Sequence, residues 1–236
     1  DGTGLNKFAD EFPDRFFDVG IAEQHAVTFA CGLAFGGMKP VLAVYSTFIQ
    51  RALDQVIHDA ALQKAPVVLA LDRGGVVGED GPTHHGVFDI SMFLPLPNVR
   101  LAAPRNCAVL EMLLKRSVHF EENLTAIRYP RGEEPAEESK SPEDVEPGKG
   151  QLLRKGHDVL IIGVGVMALC AVEVARRLAG QDISAAVYDP IWLKPAPMEE
   201  IKSLADECGR VVTVEDGSVT GGFGSRISSL LSRSSC

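Results

Sequence analysis

Short apolar segments alternate with longer helical patterns along the whole chain, and this alternation limits the possible folds more than any other feature. The segment at residues 66–71 is apolar throughout, which is typical of a strand buried on both faces of a parallel sheet. Between such segments, apolar side chains recur every three or four residues, which predicts helices. Because parallel strands need crossover connections, the sequence predicts an α/β fold.

The alternation occurs in two blocks. The predicted strands lie at residues 16–19, 41–44, 66–71, 99–102, 124–129, 159–162, 183–188 and 210–214. The predicted helices lie at residues 21–36, 48–60, 89–93, 106–120, 168–178, 198–205 and 221–231. Residues 131–150 are acidic and rich in proline, and they are predicted to form a solvated linker. We therefore predict two doubly wound domains with mainly parallel sheets, at residues 1–130 and 151–236.

The composition argues against several classes of function. The 236 residues carry a net charge of −9 without any run rich in lysine or arginine, so binding of nucleic acid or of an anionic membrane is not expected. The five cysteines form no Cys-x-x-Cys pair, which is typical of reduced thiols in a cytosolic setting. No signal peptide or membrane span is visible. The chain begins with Asp1 rather than Met, so it is expected to be a piece of a longer polypeptide.

Glu23 lies where a predicted strand passes into a helix made mostly of small and apolar residues. The helix dipole favours a carboxylate at this position, whereas burial against apolar side chains favours the protonated carboxyl. Two interpretations remain open. Glu23 either helps to start the helix, or it is a proton-transfer group whose charge state depends on what binds beside it.

Polar and aromatic side chains follow the predicted strands of the first domain. The loops after parallel strands lie together at one edge of a sheet, where sites form. One of these loops, residues 72–86, is too long and too polar to be a simple connection. A carboxylate, histidines, arginines and aromatic rings at one edge predict a pocket for an anionic substrate with proton transfer. The candidate residues are Glu23, His25, Tyr45, Phe48, Arg51, Arg73, Asp80, His84, His85 and Arg131.

His84 and His85 are adjacent in a loop whose turns are fixed by glycine and proline. Adjacent loop histidines seldom bind the same ion, and no glutamate or cysteine lies beside them at a ligand-like spacing, so no metal site is predicted here. A loop histidine beside a carboxylate is better suited to acid–base catalysis on a substrate hydroxyl or carbonyl. Asp80 is the candidate carboxylate.

The second domain contains a glycine pattern that could bind a nucleotide. Gly163 and Gly165 follow a predicted strand in the pattern Gly-x-Gly-x-x-Ala, and Asp189 ends the next strand, where a ribose-binding acid would lie. Alternatively, the glycines only allow a close strand-to-helix turn. The glycines within residues 221–224 could likewise hold a phosphate at a helix start, or could serve tight packing.

Four short motifs lie in the loops of the first domain. They are Ile21-Ala-Glu-Gln-His25, Tyr45-Ser-Thr-Phe-Ile-Gln-Arg51, Asp80-Gly-Pro-Thr-His84 and Tyr129-Pro-Arg-Gly132. These motifs resemble those of the 1-deoxy-D-xylulose-5-phosphate synthases, which are thiamine-diphosphate enzymes of the transketolase type. The resemblance runs from about residue 1 to residue 224. It implies a pyrimidine-binding domain followed by a transketolase C-terminal domain.

The resemblance also implies roles for individual residues. Glu23 matches the glutamate that hydrogen-bonds N1′ of the cofactor's aminopyrimidine. Phe48 matches the aromatic residue that stacks on this ring, and Arg51 matches the arginine beside it. The arginines of the substrate pocket would hold a phosphate group, and its histidine would transfer a proton. The residues that match positions lining this pocket are Tyr45, Arg73, Asp80, His84 and Arg131.

The implied reaction condenses pyruvate with D-glyceraldehyde 3-phosphate, releasing carbon dioxide, to give 1-deoxy-D-xylulose 5-phosphate. This is the first step of non-mevalonate isoprenoid synthesis and supplies a precursor of thiamine and pyridoxal. In this family a further domain with a Gly-Asp-Gly motif binds Mg²⁺ and the cofactor's diphosphate. We expect that domain, the first strand of the pyrimidine-binding domain and the end of the C-terminal domain to be missing, and the isolated chain to be inactive. A homodimer in the bacterial cytoplasm or the plastid stroma is expected.

Two alternatives remain open. The β subunit of a 2-oxo-acid dehydrogenase consists of the same two domains and receives its diphosphate-binding half from another chain. The motifs at residues 80–84 and 129–132 favour the synthase, because an acyl-carrying dehydrogenase needs no sugar-phosphate pocket. The other alternative is a dinucleotide-binding module through residues 163–168. The resemblance disfavours it, since in this family the C-terminal domain contributes packing and dimer contacts.

Overall fold

A computed structural model of the chain describes residues 2–132 and 142–233. Its helices are α1 (Asn6–Glu11), α2 (Glu23–Phe35), α3 (Leu53–Gln55), α4 (Asp89–Phe93), α5 (Cys107–Ser117), α6 (Met167–Ala179), α7 (Met198–Cys208) and α8 (Phe223–Arg233). α3 is one turn of a longer helical segment, with a 3₁₀ turn at Ile49–Ala52 before it and a π turn at Val56–Ala61 after it. No helix within the described ranges is long and apolar enough to cross a membrane.

The strands of the described residues form two sheets. They are β1 (Val41–Tyr45), β2 (Val68–Asp72), β3 (Val99–Ala102), β4 (Leu124–Arg128), β5 (Gln151–Arg154), β6 (Val159–Gly163), β7 (Ala185–Asp189), β8 (Trp192–Lys194) and β9 (Val211–Val214). The first sheet has the order β1-β2-β4-β3-β8 and is parallel except for β8. The second has the order β5-β7-β6-β9 and is parallel except for β5. The predicted fold class is confirmed.

Three strands differ from the prediction. Residues 16–19 do not form the predicted strand, although Phe16 has an extended backbone. The neighbouring Phe17 is 55% exposed and meets the ring of Phe29 edge-on, with the ring centroids 5.4 Å apart. These apolar side chains therefore pack on the surface of α2 instead of entering a sheet. The short antiparallel strands β5 and β8 are absent from the prediction, because β5 has only two apolar residues between polar ones and β8 has only three residues.

β8 joins the two halves of the chain, because it lies in the first sheet while its neighbours in sequence belong to the second. Ala102 of β3 pairs with Trp192 of β8. The indole of Trp192 is fully buried, and its Nε1 donates a hydrogen bond to the carbonyl of Val145 at 2.9 Å. Val145 is buried too, so the end of the predicted linker packs into the core. Residues 133–141 of that linker lie outside the described residues.

The register of the first sheet brings the functional loops together. Tyr45, at the end of β1, pairs with Asp72 at the end of β2. Leu71 of β2 pairs with Arg128 at the end of β4. All three strands run parallel, so the loops that follow them begin side by side at one edge. β2 is buried along Val68–Leu71 and forms the fixed centre of this edge.

Candidate active site

Glu23 is the first residue of α2, and Ala22 occupies the N-cap position before it. The carboxylate accepts hydrogen bonds from Nη1 of Arg51, at 3.2 Å to one oxygen and 3.5 Å to the other. The Glu23 side chain is 10% exposed, whereas that of Arg51 is 50% exposed. Glu23 is therefore not the residue that caps the helix. It is a nearly buried carboxylate at a helix start, and it pairs with the half-exposed guanidinium of Arg51.

Two aromatic rings lie next to this ion pair. The rings of Tyr45 and Phe48 are stacked, with centroids 5.4 Å apart and an interplanar angle of 22°. The guanidinium carbon of Arg51 lies 5.1 Å from the centroid of Phe48, and that of Arg73 lies 3.8 Å from the centroid of Tyr45. Each arginine is close enough for a cation–π interaction. The rings thus connect the Glu23 end of the site to its arginine-rich end.

The arginine-rich end is a cluster of ion pairs around Asp80. Nε of Arg73 donates to one oxygen of Asp80 at 2.7 Å, and Nη1 of Arg131 donates to the other at 2.9 Å. Arg73 also pairs with Asp72 at 3.0 Å. The hydrogen bond from Arg73 lowers the pKa of Asp80, and the charge of Arg131 adds to this effect. Two guanidinium groups thus converge on one carboxylate, and because the Arg131 side chain is 42% exposed, its guanidinium remains accessible to a further anion such as a phosphate.

The histidines have different surroundings. His84 meets the edge of the Phe48 ring, with centroids 5.3 Å apart, and its Nδ1 lies 3.0 Å from Oγ1 of Thr83. Asp80, predicted to be its partner carboxylate, hydrogen-bonds Arg73 and Arg131, and the nearby charge of His84 also helps to lower the pKa of Asp80. His85 accepts a hydrogen bond at Nδ1 from the backbone N–H of Val77, at 3.2 Å. His85 therefore holds the loop, and His84 faces the aromatic pair.

His25 lies outside the cluster, because its ring stacks on Phe29 with centroids 5.8 Å apart. The other candidates from the sequence, apart from His85, meet at one edge of the first sheet. The residues that the structure brings together there are Glu23, Tyr45, Phe48, Arg51, Arg73, Asp80, His84 and Arg131.

A buried network of hydrogen bonds lies beside the site. The site residues predicted from the sequence do not include its members. Nε of Arg128 and Oγ of Ser46 both donate to Oδ2 of Asp89, each at 2.9 Å. Arg128 is 4% exposed and Asp89 is fully buried. An arginine that ends an otherwise apolar strand, as Arg128 ends β4, is the sequence signal that could have found this network.

The glycine pattern of the second domain does not form a nucleotide site. A Cβ atom at Gly163 would collide with the backbone of Ala168, so this glycine serves a close strand-to-helix turn. The carboxylate of Asp189 is fully buried and accepts a hydrogen bond from Nη1 of Arg105 at 2.8 Å. Burial raises the pKa of Asp189 to about 6, against the opposing effect of Arg105. A buried, paired carboxylate cannot bind a ribose, so the dinucleotide interpretation is not supported.

The glycines at the start of α8 surround a side chain of the protein itself. Glu215 accepts hydrogen bonds from the backbone N–H groups of Phe223, at 2.8 Å, and Gly224, at 3.1 Å. A Cβ atom at Gly222 would collide with the Glu215 carboxylate. Glu215 therefore occupies the anion position at this helix start, which disfavours a phosphate there.

The fold and the site together define a class of protein, the enzymes built from a pyrimidine-binding domain and a C-terminal domain of the transketolase type. The family model described as the pyrimidine binding domain of transketolase matches residues 1–136, and that of the transketolase C-terminal domain matches residues 148–236. The chain belongs to the transketolase family.

Within this family, curated relatives that the chain matches are 1-deoxy-D-xylulose-5-phosphate synthases. The synthase of Desulfotalea psychrophila is 49% identical over 99% of this chain, and that of Halothermothrix orenii is 52% identical over 96%. The chain spans 37% and 36% of the length of these two relatives. The resemblance seen in the four motifs is confirmed.

Solved structures agree with the assignment to the transketolase family. A split-gene transketolase, described as an inactive beta4 tetramer, superposes with a TM-score of 0.88 at 32% identity. The match covers 99% of this chain and 76% of that chain. A transketolase mutant from Pichia stipitis superposes with a TM-score of 0.76 at 20% identity, covering 90% of this chain and 35% of that chain. The second likeness concerns the fold alone.

Proposed function

We propose that this chain forms the pyrimidine-binding side of a thiamine diphosphate site. The complete protein would then condense pyruvate with D-glyceraldehyde 3-phosphate to 1-deoxy-D-xylulose 5-phosphate, releasing carbon dioxide at the entry to isoprenoid synthesis. The observation that carries this proposal is the continuous cluster from the Glu23 carboxylate, through two stacked aromatic rings, to the arginine–aspartate ion pairs. The Glu23 end could bind a nitrogen-containing ring, and the arginine end could bind a phosphate.

Glu23 and Phe48 fit the aminopyrimidine ring of thiamine. The Glu23 carboxylate is nearly buried at a helix start, where it can hold a proton at N1′ of the pyrimidine. Phe48 is only partly buried, so its ring offers a surface for stacking. Arg51 contacts both side chains and keeps the carboxylate oriented. When bound, thiamine diphosphate supplies a nucleophilic carbon for pyruvate and accepts the electron pair released with carbon dioxide.

The ion pairs around Asp80 support binding of a phosphorylated acceptor. Arg73 and Arg131 come from different loops and converge on the same carboxylate. In the proposal they bind the phosphate of D-glyceraldehyde 3-phosphate, with Tyr45 beneath Arg73 keeping its guanidinium in place. His84 lies between this end and the ring-binding end, and we assign it to proton transfer at the acceptor's carbonyl oxygen.

We propose that Mg²⁺ and the cofactor's diphosphate are bound by another part of the complete protein. Within residues 2–132 and 142–233, no three side chains of histidine, cysteine, aspartate or glutamate are grouped so that they could hold a metal ion. In the proposal, the Glu23 cluster contacts the pyrimidine ring of the cofactor and the phosphate of the substrate. The two halves of the cofactor would therefore be bound by different domains.

We also propose that two copies of the protein pair near the Glu23 end of the site. Apolar side chains remain exposed there, and exposed apolar patches mark interaction surfaces. Ile21, two residues before Glu23, is 90% exposed. Further exposed apolar side chains in the segment before it are Leu5, Phe8, Phe12 and Phe17.

Release of carbon dioxide from pyruvate, measured with different acceptors, tests the proposed function. The complete protein, supplied with thiamine diphosphate and Mg²⁺, should release carbon dioxide fastest when D-glyceraldehyde 3-phosphate is present. A protein that responds to a lipoyl group and not to the aldehyde would be an acyl-transferring dehydrogenase subunit. That result would show the proposal to be wrong.

Arg131→Ala should raise the KM for D-glyceraldehyde 3-phosphate about 10- to 100-fold, because a charge-assisted hydrogen bond to phosphate contributes about 1.5–3 kcal/mol. The KM for pyruvate should stay close to that of the unchanged protein, since pyruvate has no phosphate. Initial-rate kinetics with each substrate varied in turn measure both constants.

Arg210→Ala is the matched control for this variant. Arg210 is an exposed arginine of the second domain, outside the ion-pair cluster, so its loss should leave both KM values unchanged. An Arg131→Ala protein whose kinetics change only toward pyruvate would contradict the assignment of Arg131 to the phosphate.

A further inference from the structure

A narrow neck, formed by Gly74, Gly75 and Gly86, closes the loop of residues 76–85. Gly75 and Gly86 exchange two backbone hydrogen bonds, of 3.0 and 2.8 Å. The loop above the neck carries the aspartate and the histidine of the candidate site. The position of the neck therefore helps to set where these two side chains lie, together with their contacts to Arg131 and Phe48.

Asp216, in the connection between β9 and α8, reaches the neck from the second domain. Its two carboxylate oxygens accept hydrogen bonds from the backbone N–H of Val76, at 3.1 and 3.2 Å. Gly75 has a φ of +86°, and a Cβ atom at this position would collide with the Asp216 carboxylate. Glycine at position 75 therefore leaves room for a side chain of the other domain.

The connection that carries Asp216 is itself held against the first domain. Nη2 of the buried Arg128 donates to the backbone carbonyl of Asp216 at 3.0 Å. Nε of the same arginine donates to Asp89 at 2.9 Å. Two residues further on, the N–H of Ser218 donates to the carbonyl of Val87 at 2.9 Å. The Asp216 carboxylate is thus fixed from both sides of its contact with the neck.

We propose that Asp216 is a positioning residue through which the second domain sets the geometry of the acceptor end of the site, an inference that rests on the proposed function. By accepting the N–H of Val76, Asp216 fixes the neck and with it the places of Asp80 and His84. Glu23 lies on α2 and is held by its own ion pair, so the cofactor end of the site does not depend on this contact.

Asp216→Ala in the complete protein tests this proposal by two measurements. Hydrogen exchange should become about tenfold faster in peptides that cover residues 74–86, and should stay unchanged in α2, because the neck loses a hydrogen bond that holds it closed. The KM for D-glyceraldehyde 3-phosphate should rise about tenfold and kcat should fall, because His84 moves with the neck, while the KM for pyruvate stays within about twofold. Asp216→Asn keeps an oxygen that can accept the Val76 N–H, so it should restore both properties.

Asp206→Ala, an exposed aspartate of α7, is the matched control and should change neither measurement. Hydrogen exchange does not depend on the reaction that the protein catalyses. Unchanged exchange in Asp216→Ala would therefore overturn the positioning role whatever the substrate is. Faster exchange with an unaltered acceptor KM would overturn the link to acceptor binding. Failure of Asp216→Asn to restore slow exchange would overturn the hydrogen-bond mechanism.

Discussion

Replacing Glu23 with glutamine should lower kcat of the complete protein about 10²- to 10³-fold, which is the loss typical for a preorganised polar group at a reacting centre. The Glu23 carboxylate is 10% exposed and is oriented by Arg51. An amide has the same shape but cannot hold the proton that the proposal places between the carboxylate and N1′ of the pyrimidine. The fold should be retained, because glutamine fills the same space at the start of α2.

Two measurements separate this role from a structural one. Proton–deuterium exchange at C2 of the bound thiamine diphosphate, followed by NMR after acid quench, should slow in Glu23→Gln by a factor similar to that for kcat. Circular dichroism should show unchanged helix content. Glu207→Gln, an exposed glutamate of α7, serves as the control and should exchange at the rate of the unchanged protein. Near-normal kcat in Glu23→Gln would refute the proposed role.

Asp189→Ala should lower the free energy of unfolding by about 3–5 kcal/mol, because it leaves the guanidinium of Arg105 buried without its carboxylate. Both side chains are fully buried, and their hydrogen bond is 2.8 Å long. Arg105 follows β3 of the first sheet and Asp189 ends β7 of the second, so the pair ties the two sheets together. Urea denaturation followed by far-UV circular dichroism measures this change.

A double variant distinguishes the uncompensated charge from a general loss of packing. Arg105→Met combined with Asp189→Leu removes both charges and keeps much of the volume, and buried pairs replaced in this way often lose little stability. The double variant should therefore be more stable than Asp189→Ala alone. If Asp189→Ala unfolds at the same urea concentration as the unchanged protein, the ion pair does not stabilise the contact between the two sheets.

The fold could be predicted in large part because the buried strands are continuous apolar segments. The segment at residues 66–71 is an example, since β2 is buried along most of its length and needs no polar partner. An apolar segment forms a strand only where another strand lies beside it to pair with. Residues 16–19 have no such partner among the described strands, so the strand predicted there is wrong. β8 could not be predicted, because its three residues pair with β3, which is distant in the sequence.

The residue types of the candidate site could be predicted, but their pairings could not. The ends of β1 and β2 lie in register, so the loops that follow them meet as the alternation of strands and helices indicates. Distances between side chains of different loops cannot be obtained from sequence spacing. For this reason the hydrogen bonds of Asp80 with Arg73 and Arg131 could not be predicted. Asp189, a candidate for binding a ribose, is instead enclosed with Arg105.

The product formed from pyruvate labelled with ¹³C at its carbonyl carbon tests the central claim most directly. The complete protein, with thiamine diphosphate, Mg²⁺ and D-glyceraldehyde 3-phosphate, should place the label in the carbonyl carbon of 1-deoxy-D-xylulose 5-phosphate, and NMR detects this carbon. Unlabelled carbon dioxide should appear in equal amount, and Glu23→Gln should slow both. Label recovered only in an acyl group, or unchanged pyruvate in the presence of the bound cofactor, would contradict the proposed function.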